Sequence, residues 1–531
     1  MAYVLIGFMG AGKSTAAVEL AAALGVTALD SDRLLEERFG HPVAHEFELS
    51  GEQAFRAAEE QLVCELLQGA GTDSVVALGG GSVLSERVQA ALEPRVVVLL
   101  DVEAARAWER VGGSSGVAGG DAPERPLARD REAFLALHAE RRPLYEGLAD
   151  AYLPMIDRGT AARALGALRA LSAAPAGTRL VWARSASGDY PVLIGRGLLR
   201  AGGEDGGVGA AANLAEIWPV DRNSSRPFCV SDETVASLYA KRLDPLSALV
   251  PIPPGEWHKT LASAERVWRE LVAGGMTRAD HVVALGGGVV GDLAGFCAAT
   301  YQRGVPVVQV PTTLVAQVDS AYGGKTGVDL PEAKNYVGVY HQPAGVLVDP
   351  DTLATLPAAE LAAGWVEVLK TALIAGGELW ERVAAGGEVD EHTILACART
   401  KLAVVAADER DGGRRQVLNL GHTVGHAIET ATGYARYRHG EAVGLGLLAA
   451  LRLSGREDLR AQVRALLLAR GLPVTLDGAG IEVEEIVAAT ARDKKRLGAH
   501  VPFVLVQAPG KAVTGQEVAD ADLRGAVAEL I

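Results

Sequence analysis

The chain has few cysteines, few aromatic residues and no long apolar run, and each shortage excludes a class of protein. Its four cysteines are far apart in 531 residues and lack any metal-binding spacing, which predicts reduced thiols in a cytoplasmic protein. No apolar run approaches the ~20 residues that span a bilayer, and the N-terminus lacks the basic stretch of a signal peptide. The formal charge of -15 disfavours nucleic acid and anionic membranes as partners. We therefore expect a folded protein that acts on small molecules.

Lysine is also scarce, because only ten of the 51 lysine and arginine residues are lysine. A chain with this bias should keep lysine where an ammonium group is needed and a guanidinium will not serve. Lys241 and Lys511 look like ordinary surface residues, whereas the others fall in motif-like segments. Those others are Lys13, Lys259, Lys325, Lys334, Lys370, Lys401, Lys494 and Lys495.

The hydrophobic pattern predicts an α/β protein of several domains. Apolar strands alternate with helical stretches over residues 1–170, which predicts a parallel sheet covered on both faces. A linker at 171–180 leads to a second alternating region at 181–356. Strand signals then fade, and helical periodicity predicts a mostly helical domain at 357–531.

A glycine-rich loop follows the first predicted strand. Residues 7–15 read Gly-Phe-Met-Gly-Ala-Gly-Lys-Ser-Thr and precede a helix, which is the context of a P-loop. Lys13 would reach the terminal phosphates of ATP, and the Ser14 hydroxyl would ligate Mg²⁺. The backbone and the helix N-terminus would cradle the phosphates. The residues predicted to bind the nucleotide are Gly10, Gly12, Lys13, Ser14 and Thr15.

Three motifs after the P-loop resemble those of shikimate kinase, and the resemblance covers the whole first domain. They are Asp-Ser-Asp at 30–32, Gly-Glu-Gln-Ala-Phe-Arg at 51–56, and the glycine run Gly79, Gly80 and Gly81 directly after a strand. The resemblance implies that Asp32 binds the substrate hydroxyls and Arg56 its carboxylate. The glycine run would let the backbone approach the ring of the substrate.

The same resemblance implies roles for residues further along the first domain. Asp30 would support the Mg²⁺ shell, and Arg110 would lie near the adenine ring. Arg125 resembles the lid arginine that stabilises charge on the transferring phosphoryl group. Arg141 resembles a second carboxylate-binding arginine, although its neighbour Arg142 is an alternative.

A cluster of histidines gives the second half of the chain its chemistry. His422 and His426 are four residues apart, and His439 follows, so three of the eleven histidines lie within eighteen positions. Residues four apart on a helix share one face, where two imidazoles can bind one metal ion. A carboxylate from elsewhere would complete a three-ligand site with an open position for substrate.

A glycine turn at residues 286–296 follows a predicted strand and opens a helix, which is typical of a dinucleotide pyrophosphate site. Further motifs stand at 254–259, 311–314, 317–319 and 323–327. Together they resemble 3-dehydroquinate synthase from about residue 179 onward. The fold class predicted for the whole chain is therefore α/β: a P-loop kinase parallel-sheet domain, then a Rossmann-like α/β NAD domain and a mostly α-helical metal-binding domain.

This second resemblance implies NAD and a divalent metal, zinc or cobalt, as cofactors. The implied metal ligands are Glu367, His422 and His439, whereas His426 would touch the substrate or relay a proton. The implied NAD-binding residues are Glu256, Lys259, Gly287, Gly288, Asp292, Thr312, Thr313 and Lys334. The implied substrate and catalytic residues are Asp319, Lys325, Asn335, Lys370, Lys401, Arg415, Asn419 and one of the pair Lys494 and Lys495.

The resemblance also implies an assembly and a reaction. Arg303 resembles a phosphate-binding arginine that a neighbouring subunit donates, which implies a homodimer. The implied reaction oxidises an alcohol with NAD, eliminates phosphate, returns the hydride, opens the ring and closes it by an aldol step. The substrate phosphate would itself serve as the base. Two departures from the family are Asp411 in place of a glutamate and Val424 in place of an aromatic residue.

The favoured interpretation is a bifunctional enzyme of the shikimate pathway whose two steps are not consecutive, so we expect no channelling. One alternative keeps the second fold but makes it another sugar phosphate cyclase or a metal-dependent polyol dehydrogenase. A second alternative makes one half an inactive regulatory scaffold. Six histidines outside the motifs are predicted to be core residues bonded to carbonyls: His41, His45, His138, His281, His392 and His500.

Overall fold

The computed structural model describes residues 1–112, 130–155, 157–200, 214–331, 333–476, 480–490 and 501–531. Arg125, Lys494 and Lys495 lie outside these ranges, so their roles stay predictions. The chain divides into two compact units, Met1–Trp182 with Pro191–Leu193, and Ala183–Tyr190 with Ile194–Ile531. Within the described ranges, no helix combines the length and the apolar character that crossing a membrane requires.

The first unit has a parallel sheet whose strands are short and apolar. Its elements are β1 (Tyr3–Ile6), α1 (Lys13–Leu24), β2 (Ala28–Asp30), α2 (Ser31–Phe39), α3 (Val43–Gly69), β3 (Val75–Ala77), α4 (Glu86–Leu92), β4 (Val96–Asp101), α5 (Ala104–Gly112), α6 (Arg131–Leu148), β5 (Ala151–Pro154), α7 (Thr160–Arg163), α8 (Leu165–Ala173) and β6 (Arg179–Ser185). The strand order is β2-β3-β1-β4-β5-β6, with parallel pairing throughout. This confirms the predicted parallel sheet.

The sheet of the first unit brings two glycine segments together. Strands β1 and β3 are neighbours, and every residue of both strands is buried. Because the strands are parallel, the P-loop after β1 and the glycine run after β3 emerge at the same edge of the sheet. Helix α3 is interrupted at Gly51, whose φ of 79° and ψ of 165° begin a new helical segment that carries Arg56.

The α/β part of the second unit also contains a parallel sheet. Its elements are β7 (Gly188–Ile194), α9 (Leu214–Ile217), β8 (Pro227–Asp232), α10 (Glu233–Tyr239), β9 (Ala248–Ile252), α11 (Leu261–Ala273), β10 (His281–Gly286), α12 (Gly288–Thr300), β11 (Val307–Pro311), β12 (Lys325–Leu330), β13 (Ala333–Tyr340) and β14 (Gly345–Val348). Strands β14-β11-β10-β8-β9 pair in parallel in that order. Strands β12 and β13 form a separate antiparallel ribbon.

Helices dominate the rest of the second unit, as the periodicity predicts. The elements are α13 (Ala358–Ala375), α14 (Gly377–Ala384), α15 (Glu391–Ala407), α16 (His422–Ala431), α17 (His439–Leu453), α18 (Glu457–Ala469), α19 (Val483–Thr490), β15 (Phe503–Ala508), β16 (Lys511–Gln516) and α20 (Asp520–Ala528). The antiparallel hairpin β15–β16 is an addition that the sequence interpretation did not include. Helices α16 and α17 pack closely, because a Cβ on Gly446 would lie 2.0 Å from the Gly421 carbonyl oxygen.

Candidate active sites

The P-loop of the first unit depends on glycine at two positions. Gly10 and Gly12 have φ values of 80° and 87°, a region that side chains other than glycine rarely adopt. A Cβ on Gly10 would also lie 2.7 Å from the Ala107 carbonyl oxygen. Gly12 caps the N-terminus of α1, so Ser14 and Thr15 fall in the first turn of that helix, where backbone N–H groups face a bound phosphate.

Two cations of the first unit lie at this loop. Lys13 Nζ donates to the carbonyl oxygens of Gly7 at 2.9 Å and Phe8 at 3.3 Å. Arg110 Nη1 donates to the Gly10 carbonyl oxygen at 3.2 Å, and Nη2 donates to that of Met155 at 2.9 Å. The loop therefore offers an anion site with an ammonium group inside it and a guanidinium beside it, which fits ATP.

The glycine run after β3 lies against the residues predicted to hold the acceptor. A Cβ on Gly79 would lie 2.4 Å from Asp32 Oδ1, and one on Gly81 would lie 2.2 Å from Arg56 Nη1. A Cβ on Gly80 would lie 3.9 Å from Lys13 Nζ. The structure therefore brings the predicted acceptor residues and the P-loop lysine to one place.

Glu59 is a buried residue of this site that the sequence interpretation missed. Its Oε2 accepts from Arg56 Nη1 at 2.6 Å, and its Oε1 accepts from Ser82 Oγ at 2.7 Å. This pairing fixes one edge of the Arg56 guanidinium. The sequence did contain a signal for this pair, because Glu59 follows Arg56 by three residues on a predicted helix, and side chains at that spacing can contact each other.

The side chains of Arg141 and Arg142 have different hydrogen-bond partners. Arg141 hydrogen-bonds Tyr145, whose own hydroxyl donates to the Gly80 carbonyl oxygen at 2.5 Å. Burial raises the pKa of Tyr145, and Arg141 opposes that rise. Arg142 instead donates to Glu146 at 2.7 Å, one helical turn further on. This arrangement supports Arg141 as the second arginine near the glycine run.

Asp30 has a structural role at the start of α2. Its carboxylate accepts from the backbone N–H groups of Asp32 at 3.1 Å and Arg33 at 3.3 Å, and so caps the helix. The cap holds Asp32 in the first turn. Support of the Mg²⁺ shell by Asp30 stays a prediction.

We expect Gly79→Ala to weaken binding of the acceptor while the fold survives. The new methyl group must displace the Asp32 carboxylate, and disturbing one charged hydrogen bond costs ~1.5–3 kcal/mol. The KM for the acceptor should therefore rise by about tenfold or more, measured by steady-state kinetics. Gly71→Ala is the matched control, because a Cβ there meets nothing within 4 Å. An unchanged KM for Gly79→Ala would show that Asp32 does not bind the acceptor.

In the second unit, the predicted metal ligands converge. One ligand atom from each of Glu367, His422 and His439 lies within 4.8 Å of the others. Glu367 Oε1 is 3.7 Å from His422 Nε2 and 3.5 Å from His439 Nε2. His422 Nδ1 faces the Leu420 carbonyl oxygen at 3.1 Å, which orients Nε2 toward Glu367. Helices α13, α16 and α17 each supply one residue.

This trio fits a divalent cation. Glu367 is fully buried, and neither of its carboxylate oxygens has a hydrogen-bond partner in the described part of the chain, although Lys370 pairs with one of them. Burial of such a carboxylate is costly unless cations surround it. Two imidazole nitrogens and one carboxylate oxygen are a typical catalytic zinc set. His426, Glu429 and His439 form a second group of the same kind, which shares His439.

A buried cluster of lysines surrounds Asp319. This residue lies in a π-helical turn, Ala316–Ser320, and its Oδ2 is 3.0 Å from Lys370 Nζ. Lys401 Nζ pairs with Oδ1 and donates to the Asp319 carbonyl oxygen at 2.7 Å. Burial would raise the pKa of the Asp319 carboxyl, but Lys370 and Lys401 together hold it well below its usual range. Lys370 also pairs with the buried Glu367, so the two lysines and the two carboxylates balance in charge.

Further cations and amides line the same region. Lys325 Nζ lies 2.5 Å from Asp411 Oδ2, so the shorter acid still reaches its lysine. Arg415 is buried and donates to the carbonyl oxygens of Gly323, at 2.9 Å, and of Glu409. Asn419 ends the 3-10 turn Arg414–Asn419 shortly before His422. Substrate contact by these residues stays a prediction.

The glycine turn of the second unit forms a dinucleotide cradle. Strand β10 leads directly into α12, and Gly287 caps that helix without a side chain. A Cβ on Gly287 would lie 2.8 Å from the Thr313 side chain, and Gly288 opens the helix. The buried hydroxyl of Thr312 has no hydrogen-bond partner in the described ranges. These features fit a pyrophosphate at a helix N-terminus.

Lys259 joins several residues predicted to hold NAD. Its Nζ is 2.9 Å from Glu256 Oε1 and 3.2 Å from Asp292 Oδ2, and it donates to Asn335 Oδ1 at 2.7 Å. Burial would lower the pKa of Lys259, but Asp292 and Glu256 raise it above its usual range. Three of the predicted cofactor residues, Glu256, Lys259 and Asp292, therefore form one connected group with Asn335, a predicted substrate residue.

Lys334 and Arg303 occupy different settings. Lys334 Nζ lies 3.0 Å from Glu429 Oε1 and 3.5 Å from Glu256 Oε1. Glu429 is a buried acid that the sequence interpretation missed. Arg303 is exposed and has a φ of 70°, an uncommon conformation for arginine.

The histidines outside the cluster follow the core prediction only in part. His138 is buried and faces the Val102 carbonyl oxygen at 3.1 Å, as expected. His281 is also buried, but its partners are the side chains of Ser225 and Trp218. The core prediction is wrong for His45 and His392, which are exposed because the helices that carry them turn those positions toward solvent. His41 is only half-buried, and His500 lies outside the described residues.

The first site is that of a P-loop phosphotransferase, and the second is that of a metal-dependent α/β enzyme with a dinucleotide cradle. Family models match shikimate kinase over residues 9–164, the 3-dehydroquinate synthase N-terminal domain over 249–363, and its C-terminal domain over 364–496. The 3-dehydroquinate synthase of Halorhodospira halophila (strain DSM 244 / SL1) is 43% identical over 370 residues, which cover 66% of this chain and 100% of that protein. The chain belongs to the 3-dehydroquinate synthase family and carries a shikimate kinase domain before it.

Solved structures agree with the fold of the second unit. A 2-epi-5-epi-valiolone synthase from Streptomyces hygroscopicus subsp. jinggangensis 5008, with NAD+ and Zn2+ bound, is 28% identical with a TM-score of 0.54. The match covers 58% of this chain and 91% of that one. A 2-deoxy-scyllo-inosose synthase complex is 22% identical with a TM-score of 0.57, covering 66% of this chain and 100% of that one, and it supports the fold alone.

Proposed function

We propose that the chain is a bifunctional enzyme. Its first unit transfers the terminal phosphoryl group of ATP to the 3-hydroxyl of shikimate. Its second unit converts 3-deoxy-D-arabino-heptulosonate 7-phosphate into 3-dehydroquinate and phosphate. The observation that carries the second activity is the convergence of Glu367, His422 and His439 beside a group of buried lysines.

The kinase residues divide into two groups. Lys13 and Ser14 serve the donor: the ammonium group contacts the terminal phosphates, and the hydroxyl ligates Mg²⁺. Asp32 and Arg56 serve the acceptor, with the carboxylate on the alcohols and the guanidinium on the acid. Glu59 holds Arg56 in place. Support comes from the glycine run, which lies against both groups.

Two cofactors serve the second unit. Glu367, His422 and His439 would hold Zn²⁺ or Co²⁺, which would polarise two adjacent ring hydroxyls of the substrate. Gly287, Gly288 and the residues around Lys259 would hold NAD, which supplies reversible hydride acceptance. Support comes from the related 2-epi-5-epi-valiolone synthase, whose structure has NAD+ and Zn2+ bound.

The lysine cluster selects a substrate with two anionic ends. Asp319 and Glu367 balance the charges of the buried Lys370 and Lys401. The buried Arg415 near Lys401 donates only to carbonyl oxygens among the described residues, so an anionic substrate would balance its charge. Lys325 stands at a more exposed position beside Asp411. Because the described carboxylates of this cluster are all paired with lysines, the phosphate of the substrate is the better base for its own elimination.

Other activities of the same fold are less consistent with this site. A polyol dehydrogenase has no need of a lysine-rich pocket, and it would release NADH. The substrate of another sugar phosphate cyclase would have no carboxylate for the site to bind. The 43% identity to a 3-dehydroquinate synthase over its whole length favours the synthase over both.

The assay that tests both activities is direct. Purified chain receives 3-deoxy-D-arabino-heptulosonate 7-phosphate with a catalytic amount of NAD, and phosphate and 3-dehydroquinate are measured. We expect both products in equal amounts without net NADH. A second reaction supplies shikimate with ATP. Net NADH, or no phosphate from the sugar acid, would contradict the synthase activity.

We also propose that the enzyme is a cytoplasmic homodimer in which Arg303 reaches the site of the neighbouring subunit. The four cysteines are free, buried thiols, as expected in a reducing compartment. The unusual backbone conformation at Arg303 supports a functional role, since strain of this kind concentrates at functional positions.

Subunit mixing tests the role of Arg303. Arg303→Ala and His422→Ala chains should each lack synthase activity. Co-refolded in equal amounts, they should recover about one quarter of wild-type activity, because half of the dimers are mixed and each mixed dimer has one intact site. Arg269→Ala is the matched control, since Arg269 is exposed and pairs only with Glu265 among described residues. No recovery on mixing would place Arg303 outside the partner's site.

A further inference from the structure

His439 has an acid on each side of its ring. Nε2 faces Glu367 Oε1 at 3.5 Å, and Nδ1 faces Glu429 Oε2 at 3.4 Å. Glu367 belongs to the proposed metal site, and Glu429 lies one helix away on α16. A histidine that binds a metal through one nitrogen usually donates its other N–H to a carboxylate or carbonyl, which fixes the ring.

Glu429 is itself held in place from the opposite side. It is 2% exposed, and its Oε1 lies 3.0 Å from Lys334 Nζ on β13. Lys334 Nζ is also 3.5 Å from Glu256 Oε1. A buried carboxylate with a lysine on one oxygen and an imidazole on the other is satisfied without any metal ion. Its geometry is therefore fixed before a metal binds.

We propose that Glu429 is a positioning residue for the metal ligand His439. The carboxylate holds Nδ1, so that Nε2 faces Glu367 and His422, and Lys334 holds the carboxylate. This inference rests on the proposed metal site. It goes beyond that site because the series Lys334–Glu429–His439 presets the third ligand and connects the metal site to Glu256 in the proposed cofactor site.

The second group, His426 with Glu429 and His439, is the competing explanation. In that explanation Glu429 ligates the ion, and His426 completes the set. Each acid has a lysine on one oxygen, Lys370 for Glu367 and Lys334 for Glu429. The weakness of the competing explanation is that the other oxygen of Glu367 faces two imidazole nitrogens, those of His422 and His439, and has no hydrogen-bond partner among described residues. Removal of His426 separates the two explanations, because only the competing one needs that imidazole for binding.

The test measures Zn²⁺ affinity of the full chain by competition with a chromophoric chelator. We expect Glu429→Ala to bind one ion with about 10- to 100-fold weaker affinity, the usual cost of losing an outer partner of a ligand. Glu429→Gln, whose amide oxygen still accepts from Nδ1–H, should lie between the alanine variant and wild type. His426→Ala should keep wild-type affinity. Glu378→Gln is the matched control, an exposed acid of the same unit that pairs with the exposed His392.

The Co²⁺ form supplies a second readout. The visible absorption spectrum reports the ligand set, so Glu429→Gln should keep the wild-type band positions. Wild-type affinity in Glu429→Ala would overturn the positioning role, as would loss of the ion from both Glu429→Ala and His426→Ala. Failure of the wild-type chain to bind any ion would instead contradict the proposed metal site. If the alanine variant does not fold, the Zn²⁺ affinity of Glu429→Gln replaces it in the test.

Discussion

We expect His422→Ala to abolish formation of 3-dehydroquinate and to leave phosphorylation of shikimate at its wild-type rate. The residue is buried and presents Nε2 toward Glu367, with Nδ1 fixed by the Leu420 carbonyl. Without it, only Glu367 and His439 remain to hold the ion. Because a catalytic metal supplies several kcal/mol of transition-state stabilisation, we expect a loss of about a thousandfold or more in kcat/KM. Both activities are measured on the same preparation.

The control for this variant is another histidine of the same unit. His392 is exposed and pairs with Glu378, so His392→Ala should change neither activity. Full synthase activity in His422→Ala would show that His422 is not a ligand of the catalytic metal. Loss of kinase activity as well would show that the two sites depend on each other.

We expect the converse result for Lys13→Ala, which should lose phosphorylation of shikimate and keep formation of 3-dehydroquinate. Its ammonium group lies inside the P-loop, within hydrogen-bond distance of two loop carbonyls, where terminal phosphates are expected. Loss of a preorganised cation at the transferring group costs ~3–4 kcal/mol, or about two to three orders of magnitude in kcat. Coupled measurement of ADP release checks the rate.

Lys241→Ala is the matched control, because Lys241 is exposed in the second unit. It should leave both activities unchanged. Retained kinase activity in Lys13→Ala would contradict the P-loop assignment, and parallel loss of synthase activity would contradict independent sites.

The sequence predicted the parallel sheets because their signals are local. The strands β1, β4 and β10 are short apolar runs, and the glycine turns after β1 and β10 follow directly in the chain. The hairpin β15–β16 was missed because its strands are partly exposed and lie within a region where helical periodicity dominates. Its pairing depends on contacts between two strands, which a local pattern does not reveal.

The metal trio was predictable in its residue types and not in its surroundings. Glu367, His422 and His439 follow from the motif resemblance, and the structure brings them together. Glu59 and Glu429 were not found, since an acid within a helix usually faces solvent. Both are buried here, and each has a cation beside it: Arg56 on the same helix for Glu59, and Lys334 on β13 for Glu429.

The measurement that tests the proposed metal site most directly is metal content together with activity. Purified wild-type chain should contain one divalent ion, and Glu367→Gln and His422→Ala chains should contain none. Chelation of the wild-type chain should stop cyclisation, and Zn²⁺ or Co²⁺ should restore it, while the kinase resumes with Mg²⁺ alone. An active preparation without a divalent ion, or cyclisation that continues in the presence of the chelator, would contradict the proposal.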